Sequence, residues 1–334
     1  MEPKGLSTII ATLLIVVITI AIFGFAWLFI YSDFFSRTSQ TFDIIDSQGT
    51  TLTIKSTGTD FIVGLKGYLD GKVVNISVIP KINGSVSYWS LNEGSGTLAI
   101  DYLQNHNTGT LVDLSGITPI NWIEGRFGKA LRFDGSDDYV TIPDSPSLDF
   151  NKEITVSAWL NMNQLGTWSR WISKGKYTGP EEWFLISTWT FPYYMIKFTV
   201  FIGGLQYSSP DWAPPLNEWI HVVGKYDGSE VSLWVNGNKK TSYSVTGLID
   251  SSSENMTMGY ETGAGGSFAN GIIDEVLIYN RALSSKEIEQ IYRGEVAPGG
   301  FASVQILPIE TLPSGKHTVT LCSVSQCNKW FITI

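Results

Sequence analysis

The 334-residue chain is short of positive charge and nearly without cysteine. Its 22 Lys and Arg stand against 31 Asp and Glu, a formal net charge of −9, and the basic residues nowhere run together. Such a surface repels a phosphate backbone, which argues against nucleic acid as a partner. Only two Cys and three His occur. One C-x4-C pair without a second, with His106, His221 and His317 scattered, makes a poor zinc site. The signatures of a G-x-S-x-G elbow, a P-loop and an H-E-x-x-H helix are missing. "GAGGSF" (263–268) is a loop before a strand, not a phosphate cradle before a helix. No strand-like run carries E-x-D-x-x-E or a similar pair of carboxylates to flank a sugar. Adjacent acids such as Glu181–Glu182 and Asp274–Glu275 point to opposite faces of a regular strand, and the first pair follows Gly179-Pro180, which reads as a loop. The chain reads as a binding protein and not as an enzyme.

The most prominent feature present is an apolar run. From Gly5 to Ser32 there are 28 residues without charge. As a helix they would span roughly 42 Å, more than a hydrocarbon core of ~30 Å. A secretory signal has an apolar region of only ~7–15 residues. Gly24 and Ala26 mimic a cut site, but "WLFIY" continues apolar past them. Lys4 assigns its end to the cytoplasm. Ala11, Ala21, Gly24 and Ala26 permit close helix approach, and Thr8, Thr12 and Thr19 can bond back to their own backbone. Hydropathy alone leaves two readings open, a single-span anchor and a helix that packs against its own copies.

"KG" followed by "LSTIIATLLIVVITIAIFGF" resembles the amino terminus of archaeal type IV pilins, over about a tenth of the chain. The resemblance implies a leader, residues 1–5, cut between Gly5 and Leu6 by a prepilin peptidase. It implies a retained hydrophobic helix, 6–37, that lies in membrane lipid before assembly and then packs with other pilin subunits in an extracellular filament. Bacterial relatives carry Glu at the fifth mature residue; here it is Ile10, as in the archaeal version.

The remainder predicts a mainly β chain. Residues 38–85 and 296–334 share a texture of short strands, with turns at "TGTD" and "LDGK". Neither half holds enough strands for a stable sheet, so together they predict one small split β-sandwich of six or seven strands. Two independent small modules are the alternative. Near the end, "TVTLCSVSQCNKWFITI" alternates as paired strands do. Outside the cell, Cys322 and Cys327 facing each other there would form a disulfide; two reduced thiols are the alternative.

Residues 86–295 differ, with ten of the 12 Trp. Many short strands with Gly, Asn and Asp turns predict an antiparallel jelly roll. One helix is clear in "SSKEIEQIYRG", with Ser284 and Glu287 as a capping box and Gly294 as the stop. "GRFGKALRFDGSDDYVTIPDSPSLDF", "EITVSAWLNM", "EWIHVVGKYDGSEVSLWVNGN" and "GIIDEVLIYNRALSSKEIEQIYRG" are together similar to the laminin-G-like, concanavalin A-like jelly roll. That resemblance implies a two-sheet sandwich that binds sugars or proteins and often holds calcium. Carried over, the calcium ligands are Asp101 and Asp274, with carbonyls near Asn105, Asn107 and Thr110. Leu103 and Gln104 depart from the usual "DxSGNxxxG" loop, and the plain alternative is Asp101 capping a turn and Asp274 in solvent. In "FDGSDDYV" the acids read as a turn and its solvated flank.

Trp159, Trp219 and Trp234 lie in strand patterns and are expected in the core. Trp168, Trp189, Tyr193, Tyr194 and Trp212 lie among turn residues and are the candidate sugar platforms, with loop packing as the alternative. Sequons at Asn75, Asn83 and Asn255 fit an external surface. The expected protein is a cell-surface pilin-like subunit displaying a jelly roll that binds a glycan or a surface protein. A monomeric membrane-anchored lectin is the alternative, followed by a cell-wall glycosidase.

Overall fold

The structure, a computed structural model, describes residues 40–48, 51–58, 62, 64–113, 121–165, 169–176, 181–190, 193–260, 268–296, 301–307, 313–323 and 325–333. The expected leader, its Gly5–Leu6 cut and the helix 6–37 lie outside these residues. Among the described residues no helix is long and apolar enough to cross a membrane.

The chain opens with β1 (Phe42–Gln48), β2 (Thr51–Ser56), β3 (Lys66–Leu69) and β4 (Lys72–Pro80). Next come β5 (Ser85–Trp89), β6 (Leu98–Ala99), β7 (Gly109–Asp113), β8 (Asn121–Glu124), β9 (Lys129–Asp134), β10 (Asp138–Ile142), β11 (Ile154–Gln164) and β12 (Arg170–Gly175). They are followed by β13 (Glu181–Thr190), β14 (Tyr193–Ile202), β15 (Leu205–Ser208), β16 (Trp219–Tyr226), β17 (Glu230–Val235), β18 (Asn238–Ser244), β19 (Met256–Met258) and β20 (Asn270–Tyr279). Helix α1 (Ser285–Arg293), β21 (Phe301–Leu307), β22 (Lys316–Cys322) and β23 (Cys327–Thr333) complete it.

Strands from both ends of the chain share one sheet in the order β1-β2-β21-β4-β3-β22-β23. β21 lies between β2 and β4, with Ser303 opposite Thr53 on one side and Ile79 on the other. Alternation turns Leu52, Ile54, Ala302, Val304, Ile306, Val319, Leu321 and Ile332 to a common core. The single sheet rolls over its apolar face until its edge strands meet. Phe42 N donates to Gln326 Oε1 at 3.2 Å, Trp330 Nε1 donates to Ser47 Oγ at 3.0 Å, and Asn328 Nδ2 donates to Phe42 O. Sheet twist, summed over seven strands, lets one sheet enclose a small core. Cys322 and Cys327 are register partners across the last hairpin and are joined by a disulfide.

The jelly roll has two sheets. One runs β15-β14-β13-β12-β19-β10-β7-β6; the other runs β18-β17-β16-β11-β20-β9-β8, with β5 also on β20. The fully buried Trp89, Trp171 and Trp183 fill the space between them. The outer face of the second sheet is apolar too. Val223, Trp234, Leu277 and Tyr279 pack beneath Leu283, Ile288 and Ile291 of α1 and its lead-in. Ser284 and Glu287 form the expected capping box, and Gly294 ends α1 in the left-handed conformation (φ 63°). Trp159 and Trp234 are buried, but on this outer face; Trp159 stacks on Tyr292 at 5.7 Å under Arg126. Trp219 is only half-buried at the start of β16.

One buried cation ties the first sheet to its loops. Lys174 has no exposed surface, and its Nζ lies 2.6 Å from Asp144 Oδ1, 3.2 Å from Asp149 Oδ1 and 3.7 Å from Glu182 Oε2. It also donates to Ser252 O (2.8 Å) and Glu254 O (3.1 Å). Removing it leaves Asp144, Asp149, the fully buried Glu182 and the Ser252 and Glu254 carbonyls without their shared cation. Lys174→Met is expected to lower urea-unfolding stability by about 3–5 kcal/mol. Lys239→Ala, which breaks an exposed pair, should change it by less than about 1 kcal/mol.

Candidate binding cleft

Strand β20 changes partner midway. Asn270–Ile273 pair with β9, and Val276–Tyr279 pair with β5. On its other edge the register with β11 slips between Ser157 and Trp159. Ile273 and Val276, three residues apart, both face the inter-sheet core. An extra residue, a β-bulge, is therefore taken up at Asp274–Glu275, and Glu275 has φ 53°. The bulge turns both acids to the outer face, overturning the expectation that strand parity separates them. Both are buried. Asp274 Oδ2 accepts from Arg126 N (2.8 Å) and Phe127 N (3.0 Å). Glu275 accepts from Ser77 Oγ of the rolled sheet (2.8 Å) and from Tyr88 Oη (2.7 Å). Burial pushes the Glu275 carboxyl up to about 7, its two hydrogen bonds opposing. Burial, then the neighbouring Glu275, holds Asp274 well above the usual carboxylate range. A cavity of about 180 Å³ adjoins Glu275, lined also by Trp159, His221, Ile76 and Val78. Burial alone pulls His221 down to about 3, so it is neutral at ordinary pH.

A larger cleft, about 470 Å³, opens where the rolled sheet meets the loop after β6. Its floor is the polar face of three adjacent strands. Gln48, Thr51 and Gln305 are consecutive register partners across them, and so are Asp46, Thr53 and Ser303. All six line the cleft, forming two parallel polar rows. Lys81 stands at the side and donates to Thr53 Oγ1 at 3.4 Å. The facing wall is Ile100, Tyr102, Leu103 and His106, with Tyr102 42% exposed. Asp101 shapes this wall. Its Oδ1 accepts from Tyr88 N (2.9 Å) and Leu103 N (3.0 Å), and its Oδ2 accepts from Asn107 N (2.9 Å). Tyr102 N donates to Tyr88 O at 2.9 Å.

Several of the residues carried over for calcium are engaged by the protein itself. Backbone N–H groups occupy both oxygens of Asp101, which acts as the loop's cap. The Asn107 carbonyl accepts the Trp89 indole (2.8 Å), and the Asn105 amide donates to Val86 O (2.7 Å). Thr110 sits inside β7. Asp274 is not solvated; it is buried, its Oδ2 held by the N–H groups of Arg126 and Phe127 and its Oδ1 without a hydrogen-bond partner among the described residues.

Of the aromatic candidates, Trp168 lies outside the described residues. Trp189, Tyr193 and Tyr194 sit at the closed end of the β13–β14 hairpin, Trp189 opposite Tyr194. Trp212 is half-buried against the inter-sheet core, its backbone paired with Ile196, and it does not line the cleft. Tyr102 was missed; its only signal was an aromatic beside Asp101 in a polar loop. Glu181–Glu182 begin β13 instead of lying in a loop. Glu182 is buried and accepts from Phe150 N at 3.0 Å. Asn75, Asn83 and Asn255 are exposed; Asn255 already bonds Asp144 N (3.1 Å) and Thr141 Oγ1 (3.2 Å).

Residues 134–289 match the family model described as the concanavalin A-like lectin/glucanases superfamily. No curated protein matches the chain. Among solved structures it is similar to the binding domain of Paraclostridial Mosquitocidal Protein 1, at 16% identity over 63% of this chain and 52% of that one, TM-score 0.50. It is also similar to domain 4 of AbnA, a GH43 extracellular arabinanase from Geobacillus stearothermophilus, in complex with arabinotriose, at 21% identity over 62% of this chain and 98% of that one, TM-score 0.49. A third is the botulinum neurotoxin serotype G binding domain, at 14% identity over 62% of this chain and 50% of that one, TM-score 0.48. The chain spans about half the length of the two toxin domains. At these identities the likeness is one of fold, a concanavalin A-like jelly roll.

The bulge predicts a pH dependence. Glu275 has a folded pKa near 7 against an unfolded value near 4.5, so its favourable contribution is full below about pH 4.5 and is lost as pH rises through 7. Burial shifts Asp138 and Glu182 the same way. These acids should therefore make urea-unfolding stability lower at pH 8 than at pH 5, offset in part by His221, whose folded value near 3 works the opposite way over this range. Glu275→Gln should flatten part of that slope. A slope in Glu275→Gln unchanged from wild type would refute the assignment.

Proposed function

We propose that this is a cell-surface binding protein that holds a carbohydrate in the junction cleft, carried on a filament built from its apolar amino-terminal segment. The cleft's chemistry carries the reading. A pyranose presents an apolar ring face and a rim of hydroxyls. Tyr102 offers a ring to stack on, and the rows Gln48–Thr51–Gln305 and Asp46–Thr53–Ser303 offer donors and acceptors opposite it. The cleft volume lies within the range of small-ligand sites. Binding without hydrolysis is the better reading. Glycosidases oppose two free carboxyl groups across the sugar, and in this cleft Asp101 is already committed to its own loop.

The filament half rests on the 28 charge-free residues from Gly5 to Ser32 and on "LSTIIATLL". Such a segment sits in lipid as a helix and then trades lipid for copies of itself. Many copies along one fibre would raise the effective concentration of a weak site.

A glycan array with the purified full-length protein in detergent tests the first half. Tyr102→Ala and Gln305→Ala should each weaken the captured glycan's binding at least about tenfold, some 1.4 kcal/mol, and Trp212→Ala should leave it unchanged. The reverse pattern would move the site to the β13–β14 side and overturn the cleft. Electron microscopy tests the second half. Polymers are expected, and detergent-bound monomers that still bind glycan would leave a surface lectin without a fibre.

A further inference from the structure

The acidic stretch "FDGSDDYV" has a second role beyond its turn. Asp134 caps that turn, its Oδ1 accepting from Ser136 N at 2.8 Å. Asp138 does something else. In β10 the pattern is buried at Asp138, Val140 and Ile142 and half-buried between, so Asp138 faces inward at the sandwich rim. It is 3% exposed, its Oδ2 accepts from Asp134 N at 3.2 Å, and its Oδ1 is buried with no hydrogen-bond partner among the described residues. A carboxylate oxygen buried without a partner is strongly disfavoured unless a proton or a cation meets it.

Two more acids converge on the same point. Asp113, the last residue of β7, is the register partner of Asp138, and Asp137 precedes it. One oxygen from each of the three lies within 4.8 Å of the others. Ca²⁺ holds oxygen ligands at roughly 2.3–2.6 Å, so two oxygens on one ion are at most about 5 Å apart. Burial, and then the charges of Asp134, Asp113 and Asp137, push Asp138 up to about 6. A divalent charge would relieve all of these at once.

We infer that Asp113, Asp137 and Asp138 form a site for one hard divalent cation of Ca²⁺ size, which clasps β7 to β10 at the rim of the jelly roll. The site is separate from the Asp101 loop and from the cleft, and it stands whether or not the cleft binds sugar. Three carboxylates on a strand end and a turn leave the rest of the shell to backbone carbonyls and water. That irregular geometry suits Ca²⁺ better than the strict octahedron of Mg²⁺.

The test is calorimetry on chelator-stripped full-length protein in detergent, titrated with CaCl₂ or MgCl₂ at pH 7.5, with thermal unfolding in parallel. One Ca²⁺ per chain is expected, with Mg²⁺ at least tenfold weaker and a melting temperature raised by Ca²⁺. Asp138→Asn should abolish that binding, or weaken it at least tenfold. It should also melt no lower than ion-free wild type, because the amide removes the buried charge. Asp113→Asn, at a half-buried position, should weaken Ca²⁺ binding without unfolding the protein. Absence of saturable Ca²⁺ binding in wild type would overturn the site. Binding that survives both variants would overturn it as well.

Discussion

Strand β20 must satisfy three neighbours along ten residues: β11 on one edge, β9 and then β5 on the other. The inserted residue at Asp274–Glu275 lets it do so. A left-handed non-glycine residue costs on the order of 1–3 kcal/mol, and two acids are buried in addition. The compensation lies in what the carboxylates accept. Backbone N–H groups of residues 126 and 127 approach Asp274, and hydroxyls of Ser77 and Tyr88 approach Glu275. Ser77 belongs to the rolled sheet, so the bulge is also where the two halves of the molecule are bonded.

The same joint sets the cleft. Tyr88 gives its hydroxyl to Glu275, its backbone N–H to Asp101 and its carbonyl to the N–H of Tyr102. A short chain of hydrogen bonds thus runs from the bulge to the exposed ring of Tyr102. Networks of this kind are stiff when every member is satisfied, and here the cap residue Asp101 has both oxygens filled. The wall of the cleft is held by the jelly roll and its floor by the rolled sheet. Neither part alone makes the site.

That division assigns roles. The rolled sheet closes on itself through Asn328, Gln326 and Trp330, and it presents its polar outer rows to the inserted jelly roll. In the proposed arrangement the sheet is the collar between an apolar stem and a binding head. The acids at the rim, Asp113, Asp137 and Asp138, lie within the jelly roll, whereas Glu275 accepts from Ser77 of the rolled sheet.

Much of this was legible in the residues. Ser284, Glu287 and Gly294 mark α1 because capping is local chemistry, and the alternating runs mark strands because a half-buried sheet has period two. The misreadings arise where local rules meet a distant partner. Parity predicted opposite faces for Asp274 and Glu275, and the bulge broke the count. Asp101 carried the look of a metal ligand, but its partners are the N–H groups of Tyr88, Leu103 and Asn107, brought up by folding. Tyr102 looked like any loop aromatic until β1, β2 and β21 placed polar rows across from it. The sequence by itself determined a charge-free amino-terminal run, a strand-rich chain and one capped helix, since these depend on neighbours within a few residues. Only the tertiary structure decided that seven end strands roll into one sheet, that two acids share a face, and that a cleft exists, because each depends on residues up to hundreds of positions apart.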